Sequence, residues 1–217
     1  MGAVLSDSKL RAATPAVQVA WLTAVAVLAL LSLVDSPYPE LAPLQNLPTL
    51  VVVALIALAL RRWPMPTSAV ICLMIFLLFH TLGGRYIYSF VPYDQWAAAI
   101  GLPEPTKAFG LGRNGYDRVV HFAFGLLLVH PLAEWLMRHG GVSRRLALYI
   151  AAEFVFAGSA VYEIFEWLLT LTIGGDQADA YNGQQGDMWD AQKDMACAGL
   201  GAISTAVLLA FKPNART

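Results

Sequence analysis

The chain has 217 residues and a formal net charge of −1, with 58% hydrophobic residues against 13% charged. That charged share is roughly half of a soluble domain's, and together with a positive mean hydropathy it excludes a soluble globular protein. The near-neutral charge excludes a polybasic nucleic-acid binder, so no nucleic-acid partner is expected.

Apolar runs near 20 residues long can cross a bilayer, and six are expected in one membrane domain over residues 1–217. A head carrying Lys9 and Arg11 precedes the first run, about 16–34. This run exceeds the roughly 7–15 apolar residues of a secretory leader, so it reads as a retained helix. Asp35-Ser36-Pro37 stops it, and a second run covers about 44–60, with Pro48 in its first turn. Arg61-Arg62 ends that run, and after Pro64 and Pro66 a third extends over about 68–82. An outer loop, 83–116, is rich in aromatics that suit a membrane interface: Tyr86, Tyr88, Phe90, Tyr93 and Trp96. Tyr93, Trp96, Ala97 and Ile100 recur at helical spacing, which predicts a short helix on the membrane surface. The fourth run is about 117–137, the fifth about 146–171 and the sixth about 190–211. Cys72 and Cys197 fall inside runs. They offer neither a disulfide framework nor a zinc pattern.

An all-α, polytopic membrane helix bundle follows, and an even number of spans puts both termini on one side. Lys9, Arg11, Arg61, Arg62, Arg138, Arg144, Arg145, Lys212 and Arg216 share that side. Short basic loops face the cytoplasm, so both termini are expected there. The Gly/Asp loop at 174–189 then faces outward.

Topology turns scattered polar residues into a constellation. Glu163 and Glu166 share one face of the fifth run, and Asp187, Asp190 and Asp194, spaced by three and four, share one face at the start of the sixth. Asp117 and His121 are four apart at the outer end of the fourth run, and His80 ends the third. All lie at a similar depth near the outer side. Acids there are costly in lipid unless neutralised, and by default they mark a functional site. Glu163, Glu166, Asp117 and His121 are the catalytic candidates. His80, Arg85, Tyr116, Arg118, Gln185 and Lys193 are candidate ligand-binding groups.

Carboxylates with some imidazole suit Mg²⁺, Mn²⁺, Ca²⁺ or Fe²⁺. Asp187, Asp190, Asp194 and Glu166 are the candidate metal ligands. Two other readings stay open: acids and Arg or Lys around a phospho- or amino-ligand, and a structural salt-bridge network. A di-iron bundle site would need Glu-x-x-His motifs, and neither Glu163 nor Glu166 has a histidine three residues on. Glu134 and Glu153 fall nearer the cytoplasmic side and would pair with Arg138 and Arg144, or with each other through a proton. His130 and His139 look peripheral, and Gly199 and Gly201 beside Ala198 and Ala202 suit close helix packing.

The stretches HTLGGRYIYSFVPYDQW (from His80), YDRVVHFAFGLLLVHPLAE (from Tyr116), YEIFEW (from Tyr162) and GGDQADAYNGQQGDMWDAQKDM (from Gly174) resemble the YjdF-like family of bacterial inner-membrane proteins. More distantly, the chain is similar to VanZ-like proteins. Asp117-Arg118-Val119-Val120-His121-Phe122 matches their Asp-Lys-x-x-His-Phe element with Arg in place of Lys, and the Glu163/Glu166 helix and the Asp187, Asp190, Asp194 series match the elements downstream. The resemblance implies an inner-membrane location and a link to the cell envelope. It supplies no mechanism.

Three functions fit the residues. One is a membrane enzyme acting on a lipid head group or envelope precursor, with an acid or a bound metal assisted by His121. Another is a transporter or cation-coupled permeation protein, though no inverted repeat is evident. The third is a non-catalytic envelope accessory protein. No Gly-x-Ser-x-Gly nucleophile motif is present. The lipid bilayer is the one partner common to all three.

Overall fold

A computed structural model describes residues 14–173 and 184–211. Lys9, Arg11, Gly174, Gly175, Gly183, Lys212 and Arg216 lie outside the described residues. All regular structure within them is helical: α1 (Ala16–Leu31), α2 (Ala42–Arg62), α3 (Thr67–Arg85), α4 (Tyr93–Ala99), α5 (Pro105–Ala108), α6 (Tyr116–His139), α7 (Arg144–Ile173) and α8 (Asp190–Phe211). Among the described residues, five of these, α2, α3, α6, α7 and α8, are long and apolar enough to cross a membrane. With 16 residues α1 is the shortest of the six expected spans. It rises about 24 Å, somewhat less than the ~30 Å hydrocarbon core.

The helix boundaries adjust the expected spans in two places that matter. The second helix begins at Ala42 with Pro43 in its first turn, so Pro48 sits in the helix interior. Lacking an N–H, Pro48 loosens the ladder there, and the neighbouring Gln45 carbonyl accepts a hydrogen bond from His80 Nε2 at 3.2 Å. The third helix continues past residue 82 to Arg85, so the aromatic-rich loop starts three residues later. Within that loop the expected short helix is α4, with Trp96 43% exposed.

Two groups of three helices make up the bundle. One is α1, α2 and α3, around Val25, Val53, Val70 and Met74. The other is α6, α7 and α8, around Val129, Ala151, Val155, Ala198 and Ala202. The contact between α3 and α6 joins them. A smaller cluster of Tyr88, Val91, Tyr116 and Val120 closes one end. Large apolar side chains cover the outer faces, among them Leu55, Leu58, Phe154 and Leu208, as lipid-facing helices require.

The tightest seam lies between α6 and α8, which run parallel. A Cβ on Gly125 would strike the Ala198 carbonyl and the Ala202 amide, and one on Gly201 would strike the Phe122 carbonyl and the Leu126 amide. Only glycine lets the backbones approach so closely, as in small-residue membrane packing. Thr205 Oγ1 donates to the Leu126 carbonyl at 2.6 Å, one turn further along. Gly199 faces α7 instead, under the ring of Phe156. Because α6 and α8 start at the same end, Asp117 and Asp190 both sit in first turns. There the positive ends of the helix dipoles favour negative charge.

Candidate functional site

The expected polar constellation assembles at the start of α6 and α8 and the last third of α7, in two layers. The outer layer is an ion-pair lattice. Lys193 Nζ lies 2.6 Å from Asp187 Oδ2, and Asp187 also pairs with Arg118. Arg118 reaches Asp190 Oδ1 at 3.6 Å, and Asp190 pairs closely with Arg113. Asp187 accepts first from Lys193 and then from the Trp189 N–H, which holds its carboxyl down to about 2. Backbone bonds lace two loops over this lattice. Arg113 donates to the Gln184 carbonyl at 3.0 Å, and Gln185 and Asn114 exchange two hydrogen bonds of 3.1 Å.

Beneath it lies a layer of acids and one imidazole. Asp117, His121 and Asp194 are all buried, and each offers a ligand atom within 4.8 Å of the others. His121 Nε2 is 3.4 Å from Glu163 Oε1 and 3.7 Å from Asp117 Oδ1. Its Nδ1 meets the buried Ser159 hydroxyl at 3.3 Å. If Nδ1–H donates to that hydroxyl, the Nε2 lone pair points among the carboxylates, as a metal ligand's would. Glu166 is buried and takes a hydrogen bond from Tyr162, whose ring stands edge-on to His121 at 5.9 Å. Asp190 and Asp194 share a side-chain hydrogen bond, which needs a proton on one of the two carboxyls. Asp194 is 1% exposed, and its Oδ1 is buried without a hydrogen-bond partner.

Of the four residues expected to bind metal, Asp194 and Glu166 lie in this inner layer, whereas Asp187 and Asp190 are held by cations in the outer one. All four catalytic candidates, Glu163, Glu166, Asp117 and His121, come together. The ligand-binding candidates separate. Arg118 and Lys193 belong to the lattice and Gln185 to the loop lacing. Buried Tyr116 donates to the Phe79 carbonyl at 2.9 Å. Arg85 lies away from the site, capping α1 by donating to the carbonyls of Ser32, Val34 and Asp35. Far along α6, Glu134 pairs with Arg138 at 2.8 Å. Glu153 is exposed on α7, and Arg144 donates to the Leu209 carbonyl.

His80 closes a cavity of about 300 Å³ between α2, α3, α6 and α7, whose wall includes Asp117 and His121. Tyr88 O–H donates to His80 Nδ1 while His80 Nε2–H donates to Gln45, so both ring nitrogens are used. The turn that delivers Tyr88 puts Ile87 and Tyr88 at φ 45° and 56°, left-handed values that cost a non-glycine residue about 1–3 kcal/mol. A Cβ on Gly83 would collide with the Tyr88 ring. Ser159, Tyr162 and Tyr88 are site residues that sequence reasoning missed, Tyr88 being expected at the membrane interface. Ser159 carried a signal, since it lies one turn before Glu163 on the same face of α7. Tyr88 carried none, because its place depends on a turn unusual for its residue types.

The family model described as "Predicted membrane protein (DUF2238)" matches residues 17–214. The chain is also 35% identical over 164 residues to the inner membrane protein YjdF of Escherichia coli (strain K12), covering 75% of this chain and 74% of that one. No solved structure matches.

Proposed function

Since the chain belongs to the DUF2238 family of membrane proteins, and is a multi-pass protein of the bacterial inner membrane, we propose that it is a metal-dependent enzyme acting on a lipid head group or envelope precursor. The observation that carries this is the buried triad. Asp117, His121 and Asp194 converge within 4.8 Å, and Asp194 Oδ1 has no hydrogen-bond partner. A buried carboxyl oxygen left without a partner is costly, and a divalent cation would offset that cost for the two carboxyls, with the imidazole as its third ligand. Mg²⁺, Mn²⁺, Ca²⁺ and Fe²⁺ suit two carboxylates and one imidazole. Such an ion would polarise a phosphoryl or acyl oxygen and activate a bound water. Glu163, 3.4 Å from His121 Nε2, would be the nearby base for that water's proton. The lattice of Asp187, Asp190, Arg113, Arg118 and Lys193 would balance charge around the site and hold a phosphate-bearing group near it. The basic loops support an orientation in which this end faces outward and both termini are cytoplasmic.

Metal content of the purified protein, measured by mass spectrometry after incubation with each of the four ions, tests the reading. About one ion per wild-type chain is expected, with less than a tenth of that in Asp194→Asn at unchanged thermal stability. Wild type that stays metal-free with every ion overturns it. If Asp194→Asn then also lowers the melting temperature, the acids are a structural network, as an accessory protein would have.

A further inference from the structure

The cavity beside the triad is shaped for something other than water. At about 300 Å³ it matches the small end of ligand pockets. Two ends differ in character. Asp117, His121, His80 and Tyr88 line one, and Val52, Phe76, Phe124 and Gly158 the other. On α6 the order is Asp117, His121, Phe124, so the wall changes from ionisable to apolar over about two turns along the helix axis.

Its doorway is lateral. α2 and α7 provide opposite walls yet do not pack on each other. Val52 lines the cavity and is 40% exposed, and its neighbours Val51 and Leu55, which do not line the cavity, form exposed apolar surface of α2. That surface belongs to a helix apolar and long enough to cross the membrane, so the medium at the doorway is lipid hydrocarbon. From the aqueous end, by contrast, the described residues set a double cover over the triad. The cover consists of the Arg113, Arg118 and Lys193 ion pairs and the hydrogen bonds between Asn114 and Gln185. A soluble ligand would have to break several of these contacts, and a lipid none.

Resting on the enzyme reading above, we infer that the substrate is a lipid that enters sideways between α2 and α7. The head group lies against Asp117 and His121, and the first methylenes of one hydrocarbon chain occupy the apolar end. The cavity is too small for both tails of a diacyl lipid. The rest of that chain and the second tail therefore stay in the bilayer at the doorway, beside Val52.

The test uses full-length protein in nanodiscs of phosphatidylethanolamine and phosphatidylglycerol, released for native mass spectrometry. Wild type is compared with Val52→Trp, which plugs the doorway from an exposed position, and with Val207→Trp, an exposed site on α8 far from the cavity. One retained lipid per chain is expected for wild type and Val207→Trp, falling at least fivefold in Val52→Trp, with metal content equal in all three. Equal lipid retention in Val52→Trp and Val207→Trp, or no retained lipid in wild type, overturns the inference while leaving the metal result standing. A dimer that Val52→Trp abolishes also overturns it, because a second copy would then fill the gap. Selective lipid loss in metal-free protein instead overturns the enzyme reading and keeps the lipid site.

Discussion

In the α1–α3 group the buried polar side chains are neutral amides and hydroxyls; several find backbone partners nearby, while Gln45 Nε2, Asn46 Oδ1 and Thr81 Oγ1 have none. Gln18 Nε2 donates to the Met65 carbonyl at 3.0 Å and meets Thr67 Oγ1 at 3.2 Å, and Asn46 and Thr49 donate to carbonyls one turn back. Even Arg85 is spent on the carbonyls that end α1. The α6–α8 group instead buries carboxyls. Cations pair with Asp187 and Asp190, while Asp117 and Asp194 lie beside an imidazole, with Asp194 bonded to the Asp190 carboxyl. A buried neutral group is satisfied by one good hydrogen bond, at a net gain near 1 kcal/mol. A buried charge needs an opposite charge. An unpartnered atom in the first group therefore costs one hydrogen bond, whereas an unpartnered acid in the second leaves a charge that a positive ligand would balance.

Three perturbations sharpen this contrast. The largest effect belongs to Gly125→Val, which forces apart the backbones that bring Asp117 to Asp194. The cost should reach or exceed the ~1–3 kcal/mol of ordinary overpacking. We expect loss of monodisperse protein on size-exclusion chromatography, whereas Val207→Trp on the lipid-facing side of α8 should elute as wild type. Arg113→Ala comes next. It strips Asp190 of a partner in a pair whose side chains are 9% and 8% exposed, and breaking such a pair costs about 3–5 kcal/mol. A marked fall in melting temperature is expected, and a fall no greater than that of Gln18→Ala would erase the distinction between the two groups.

The smallest effect concerns pH at the rim. Asp187 is held down to about 2 by Lys193 and the Trp189 N–H, below the ~3.9 of a free aspartate. A carboxyl lowered on folding contributes stability that is full above the unfolded value and lost as pH falls through the folded one. The melting-temperature gap between wild type and Asp187→Asn should thus be constant above pH ~5, shrink below ~4 and close near 2. A gap that stays constant down to pH 2 would mean that the outer lattice does not act through charge.

How much of this was legible in the chain depended on how local each cause was. Apolar runs of span length and their basic or proline-rich ends set the helices, and α8 begins and ends where the run does. The gathering of Asp117, His121, Glu163 and Asp194 followed from topology and helical spacing alone. Their division into two layers did not. It depends on which carboxyl lies within reach of Arg113 and Arg118, a matter of a few ångströms that spacing along one helix cannot resolve. The role of Arg85 was hidden for a similar reason, since its acceptors lie some fifty residues earlier. Tyr88 was misplaced because residue type argued for an interfacial ring while the left-handed turn at Ile87 and Tyr88 carried it inward.

The reciprocal glycines of α6 and α8 also work as a gauge. Gly125 lies eight residues along α6 from Asp117, about 12 Å at the helical rise. The axial offset of the two helices is therefore set well away from the carboxyls it brings together. A slip of a single residue would shift one helix by about 1.5 Å and change the gap between Asp117 and Asp194 without altering either residue. Size discrimination among ions would then be inherited from a dry joint between two backbones. Evolution could retune it by replacing an alanine two turns deeper while leaving every ligand untouched.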